Sequence, residues 1–374
     1  MASFGAAVSE HPLLTHAVGE VIGQVMDAVG EEPDVAMLFV TAPTLGGLDD
    51  VASAIRSTLK PKTLVASSAI SVIGNRREVE ETSGISLWAG RIEGVRSVRL
   101  DAKRHADGWT ISGFPDGIDD GTLLLVADPF TFPIDGLLNE LETRAPELAV
   151  LGGMASAATS AGGNRLMLDT AEFASGAVGF VVPSGRAETL VSQGCRPVGR
   201  PFTITACDHN LITELGGRPA LERLQELLAE ADEPTRALLG AGLHLGMVVN
   251  EQQLDFRRGD FLIRGVVGVD KETGAIAVGG RVVVGQTVQF QVRDADTAAE
   301  DLRELLHGRS AEGALVFTCN GRGSRLFGVP DHDASLIYDN LQAPVAGMFC
   351  AGEIGPVGDR NHVHGFTASV ALFN

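Results

Sequence analysis

The sequence predicts an α/β (α+β) protein of two modules, built from repeated strand-helix-strand-strand units with largely buried sheets. Three observations carry this. Short apolar runs such as VAMLFV at 35–40 and TLLLVADPF at 122–130 end in turn residues, as strands buried on both faces do. Amphipathic stretches at 48–59 and 134–146 follow them at helical spacing. The same order then recurs three times along the chain, and self-similarity of this kind sets the organisation before any single element does.

The first copy reads VAMLFV at 35–40, an amphipathic helix from Leu48 to Leu59, TLVASSAISVIG at 63–74 and SGISLWAG at 83–90. The second has TLLLVADPF, a helix IDGLLNELETRAP at 134–146, LAVLGGMASAATSAG at 148–162 and SGAVGFVVPSG at 175–185. Leu137, Leu138 and Leu141 fall on one helical face, and Pro146 stops that helix before the next strand. The third, at 314–373, has ALVFTCNGRG, a shorter helical segment at 334–341, VAGMFCAGEIGP and NHVHGFTASVALF. Its last run is apolar and small throughout, which suits a central strand.

Between the second and third copies the pattern changes. Residues 187–213 hold two β-like runs around a Gly-Cys-Arg-Pro turn, and 219–231 form an amphipathic helix whose Pro219 fits the first turn. HLGMVV, DFLIRGVVGVD, AIAVGG and TVQFQVRD supply four more strands, with 270–274 as a hairpin turn. The expected division is an N-terminal module at 1–196 with two copies and a C-terminal module at 197–374 built around the third.

Size and charge narrow the function classes. A chain of 374 residues exceeds the usual single core. Forty-eight acidic against 29 basic residues give a net charge of −19, which repels phosphate backbones and anionic lipid, so neither nucleic acid nor membrane is an expected partner. Glycine, 46 residues, is well above its usual share of about 7%, so many turns run close to other backbone. Cys195, Cys207, Cys319 and Cys350 show no CxxC spacing, so neither a disulfide framework nor a zinc ribbon is expected. With no signal-like N-terminus and no long apolar window, the expected location is cytoplasmic.

The order SQGCRPVG, a leucine-rich helix, GDFLIRGVVGVD, TCNGRGSRLFG and GMFCAGEIGP resembles the FIST proteins, whose N and C modules occur together. The resemblance implies sensory domains for small ligands such as amino acids, found beside kinase, chemoreceptor or cyclic-dinucleotide signalling domains; some members bind haem. The two modules occupy the 374 residues, so the expected output passes through a separate signalling protein such as a kinase, or there is none.

The third copy alone gathers reactive side chains at its predicted strand ends. Cys319 ends one strand beside Gly321 and Arg322, where the guanidinium favours a thiolate; the alternative is a small buried hydrophobe. Cys350, inside an apolar run, reads as packing. Arg322 matches a ligand carboxylate bidentately, or pairs internally with Glu353. Glu353, after Gly352, can instead receive a ligand ammonium group. His362 and His364, two apart on a strand, share one face; the readings are turn residues, ligand contacts or two metal ligands with Glu353, and no metal site is assigned. In the N-terminal half, Ser67-Ser68 and Gly152-Gly153 are expected in the place that Gly352-Glu353 holds, as packing or as backbone donors to an anion.

Enzyme signatures are sparse. GxxxxGK[ST], GxGxxG after a strand, HExxH and GxSxG are missing, and Ser57–Lys60 fits SxxK without its companion motifs. Two function classes remain: a sensor binding a small carboxylate metabolite, and a thiol-dependent hydrolase or transferase using Cys319 with His364 and Glu353. A haem sensor, with His209 or His244 as ligand, is the third.

Overall fold

A computed structural model describes residues 2–106, 108–253 and 255–374. Two compact units divide the chain: the first takes Met1–Val191, Leu302–Val363 and Thr367–Asn374, the second Ser192–Asp301 and His364–Phe366.

In the first unit the sequence repeat is a repeat of sheet topology. Strand Val35–Thr41 lies between Ile85–Gly90, antiparallel, and Thr63–Ala69, parallel. Asp120–Ala127 stands in the same way between Ala177–Val182 and Glu147–Met154, and Gly313–Cys319 between Thr367–Phe373 and Val345–Cys350. Each trio gains a further strand beside its antiparallel member: Phe4–Ser9, Arg96–His105 and Ala187–Gln193. The parallel pairs are joined through helices Leu48–Thr58, Ile134–Arg144 and, in the third copy, Ser324–Phe327 and His332–Leu341. A parallel connection needs such a crossover.

The three copies also exchange hairpins. Ser71–Gly74 and Arg77–Glu80 of the first copy extend the third copy's sheet; Leu166–Leu168 and Ala171–Phe173 of the second extend the first; Glu353–Val357 and Arg360–His364 of the third extend the second. The run 63–74 is therefore two strands in two sheets, broken at Ile70. Buried Ser156 joins all three copies: its Oγ donates to Phe349 O at 2.6 Å and accepts from Ile70 N at 3.0 Å, and its N–H reaches Ser68 O at 3.4 Å.

Strand alternation sorts the side chains into two layers. Val35, Met37, Phe39, Leu124, Val126, Leu315 and Phe317 share one central core with Trp88 and Phe373. The intervening residues, among them Ala36, Leu38, Leu123, Leu125, Ala314 and Val316, pack outward on each copy's helices. The edge contact of Phe39 with Phe317, centroids 6.0 Å apart, links two copies across the centre and is worth about 0.5–1.5 kcal/mol beyond burial.

In sequence the second unit begins within strand Ala187–Gln193, at Ser192. Strands Phe202–Asp208, Leu211–Leu215, Ala275–Val278, Phe261–Asp270, Leu243–Val248 and Thr287–Arg293 pair in that order, and the last pairs back to the first, closing a barrel with no open edge among these six. Its core takes Leu224 and Leu239 from helices Ala220–Glu230 and Glu233–Ala241. The expected turn at 270–274 is present, with the Asp270 carboxylate accepting from Glu272 and Thr273 N–H groups.

Candidate functional site

Register places the three copies side by side, residue for residue. Val40 opposes Ser68, Ala127 opposes Met154 and Thr318 opposes Phe349. Thr41, Asp128 and Cys319 therefore share one position at the strand end, and Thr44, Thr131 and Arg322 a second, three residues on. The partner strands give a third position. Val72 opposes Met348, Leu166 opposes Ser67 and Glu353 opposes Gly153, so Val72, Leu166 and Glu353 are equivalent. Ser67-Ser68 and Gly152-Gly153 thus do not occupy the place of Gly352-Glu353. The two glycines are its hydrogen-bonded neighbours, opposite Glu353 and Ile354.

The first two copies fill these positions with self-contained groups. Thr41 Oγ1 accepts from Gly84 N–H at 2.8 Å, and Thr131 Oγ1 donates to Asp128 at 2.6 Å. Val72 and Leu166 are wholly buried in the central core. The third copy puts a carboxylic acid where they put hydrocarbon.

Glu353 is fully buried. Its Oε2 accepts from Thr367 N–H at 3.1 Å and from Thr367 Oγ1 at 2.9 Å; Oε1 meets no donor in hydrogen-bond geometry among the described residues, although the neighbouring Cys319 thiol acts on the same carboxyl. Desolvation dominates and pushes its pKa up to about 8, against the opposing pull of the Thr367 donors, Arg322 and Cys319. The acid is accordingly protonated at neutral pH.

Arg322 is buried to 1% and does not pair with Glu353. Its Nε donates to Asp333 Oδ2 at 2.7 Å and its Nη2 to Oδ1 at 2.9 Å, a bidentate pair with both side chains inaccessible. Asp333 lies in the first turn of helix His332–Leu341 and also accepts from Thr318 Oγ1 at 3.0 Å. Although burial opposes it, the Arg322 charge holds the Asp333 carboxyl well below the usual carboxylate range. The Phe327 ring lies 5.2 Å from the guanidinium carbon and stacks in turn on His332. Nη1 is left over, buried and without a hydrogen-bond partner among the described residues, as is Asn320 Oδ1.

The chain folds this way locally because Gly323 has φ 61°, where a Cβ would stand 2.9 Å from the Phe349 ring and 3.0 Å from the Glu80 carboxylate. That glycine turns the backbone so that Ser324 N–H and Oγ reach Glu80. Cys319 ends its strand half-buried, its Sγ accepting from Gly321 N–H at 3.4 Å. Cys350 is its register partner on the next strand, fully buried, and burial raises its pKa well above the usual thiol value. Gly153 makes room for it: a Cβ there would sit 2.2 Å from Cys350 Sγ.

A thiol, a guanidinium and a carboxylic acid thus come together, electrostatically coupled, within the first unit. The imidazoles divide: His362 belongs to the first unit and His364 to the second. Among the described residues, no group of three or more His, Cys, Asp or Glu is arranged to hold a metal ion. His209 is exposed against Asp208. His244 is buried edge-on to Phe366, centroids 4.3 Å apart, its Nδ1 3.2 Å from Gly242 O. Desolvation and the nearby Arg293 charge lower its pKa to about 4.

Asp333, Asn320 and Thr367 were not singled out from sequence. Asp333 was the most findable, an acid at the start of the amphipathic segment whose Ala334, Ile337 and Leu341 are buried.

The FIST N domain matches residues 34–218 and the FIST C domain residues 220–356. An uncharacterized protein of Mycobacterium bovis is 43% identical over 379 residues, covering 99% of this chain and 98% of its own, and an uncharacterized protein of Mycobacterium tuberculosis is 40% identical over 378 residues, covering 99% of both. No helix among the described residues is long and apolar enough to cross a membrane. The chain belongs to the FIST family, whose domains are sensory modules for small ligands in signalling.

Proposed function

We propose that this protein is a cytoplasmic sensor that recognises a small carboxylate-bearing metabolite at the third copy's strand ends and passes the signal to a separate protein. One observation carries the reading: among the described residues the buried Arg322 Nη1 and Glu353 Oε1 make no geometric hydrogen bond, and both groups are electrostatically coupled to the half-buried Cys319. Unpartnered buried donors are costly, on the order of 1–3 kcal/mol each, so a site that keeps them gains by receiving an acceptor. Asp333 already neutralises Arg322, so the site offers hydrogen-bond donors more than net charge. Glu353, protonated, donates from Oε1 as Arg322 does from Nη1. A carboxylate oxygen can accept from either donor.

The test is a thermal-shift and calorimetric screen of organic acids and amino acids on the wild type and on Glu353→Val, which copies Val72. Binding by the wild type that is lost in the folded variant supports the reading. Equal binding by both would end it. The deaminated acid of each amino acid pair decides whether an ammonium group contributes.

A second reading is favoured by the Gly321 N–H on Cys319 Sγ, a donor suited to a thiolate nucleophile. It requires stoichiometric, pH-dependent alkylation of Cys319 in the native protein. A Cys319 inert to iodoacetamide rules it out.

A further inference from the structure

We propose that Cys319 and Cys350 are a redox pair that closes to a reversible disulfide when the protein meets a hydroperoxide, Cys319 reacting first and Cys350 resolving. They are Cα partners in the parallel register of Gly313–Cys319 and Val345–Cys350. Paired strands lie about 4.7–4.9 Å apart, within the Cα separation of roughly 4.4–6.8 Å that a disulfide spans. Both thiols project to the same face. Cys319 continues the inward series of Leu315 and Phe317, and Cys350 that of Ala346 and Met348.

Accessibility separates their roles. Cys319 is half-buried at the strand end, whereas Cys350 is inaccessible behind it. A small oxidant reaches the first and not the second. The charged groups that act on the pair are Glu353 and Arg322.

The chemistry balances with hydrogen peroxide as oxidant. Cys319 sulfur attacks one peroxide oxygen, the O–O bond breaks, and the other oxygen leaves as water with the thiol proton, giving Cys319 sulfenic acid. Cys350 sulfur then displaces that hydroxyl, the S–S bond forms, and the hydroxyl departs as a second water with the Cys350 proton. Two electrons pass from the dithiol to the peroxide.

The fold does not demand this pair. Thr41 and Asp128 stand at the position of Cys319, and Ala69 and Ala155 at that of Cys350, so packing is satisfied without sulfur in both other copies. The inference is also independent of the ligand reading, since it holds whether or not a carboxylate binds.

The reduced full-length chain is treated with stoichiometric hydrogen peroxide and read by intact mass, maleimide labelling and non-reducing peptide mapping. We expect a loss of two hydrogens, protection of two of the four thiols, one linked peptide pair containing Cys319 and Cys350, and full reversal by dithiothreitol. Cys350→Ala, the residue of the other copies, should stop at a Cys319 sulfenic acid that dimedone traps. Four reactive thiols after treatment, a linkage through Cys195 or Cys207, or a link between two chains would each overturn the proposal. If Cys350→Ala does not fold, the wild-type peptide map decides alone.

Discussion

Arg322 and Asp333 form a bidentate ion pair with both side chains inaccessible to solvent, 2.7 Å and 2.9 Å between donors and acceptors. The pair ties the turn after strand Gly313–Cys319 to the helix that returns to the sheet. It also fixes which guanidinium nitrogen remains for a ligand.

Breaking this pair from one side leaves a buried charge uncompensated. Asp333→Ala should destabilise the protein by about 3–5 kcal/mol, whereas Arg322→Met with Asp333→Leu should cost much less. Urea denaturation of the two variants measures this, and equal losses would show that the pair's charge is not the issue.

Glu353 gives stability a pH dependence of defined sign. Its folded pKa of about 8 lies above the ordinary 4.5, so between those values the folded state holds a proton that the unfolded chain has lost. Stability therefore falls as pH rises from about 4.5 to 8. Glu353→Gln, which keeps an acceptor for Thr367 and a donor at the Oε1 position, should remove that part of the slope and stabilise the protein at pH 8 by up to a few kcal/mol. Glu78, also raised to about 8 by burial and by Asp333, adds a slope of the same sign that persists in the variant. Denaturation at pH 5, 6.5 and 8 reads both.

His244 acts in the opposite sense in the second unit. With its folded pKa lowered to about 4, the unfolded chain binds the proton first, so stability is lost as pH falls from about 6.5 toward 4. His244→Phe should flatten that acid limb. An unchanged acid limb would place its origin elsewhere.

Gly153 and Cys350 should couple. Gly153→Ala places a methyl 2.2 Å from the Cys350 sulfur and should cost about 1–3 kcal/mol by overpacking. Adding Cys350→Ala should recover part of the loss, and additive effects would refute the contact.

The repeat was legible because strand burial and helix amphipathicity write themselves into composition: runs such as 35–40 and 134–146 need no distant partner to be recognised. The exchange of hairpins was not. Nothing in TLVASSAISVIG says that its second half pairs with Val345–Cys350, since register depends on residues far away in sequence. The site followed the same rule. Cys319, Arg322 and Glu353 stood out as polar groups at apolar strand ends, but the partner of Arg322 is set by a helix orientation that spacing does not encode. Cys350 looked like packing because its neighbour Cys319 is 31 positions away, and only parallel register makes them adjacent. His364, two residues from His362, falls in the other compact unit.

Calorimetric titration of a screened carboxylate across pH reads whether Glu353 and Arg322 Nη1 together receive a carboxylate oxygen. Affinity should hold from pH 6 to 7.5 and fall as pH passes about 8, where Glu353 loses the proton it donates, and Glu353→Gln should bind without that fall. Affinity that rises through pH 8, or a fall that survives in Glu353→Gln, would rule out a protonated Glu353 as the donor.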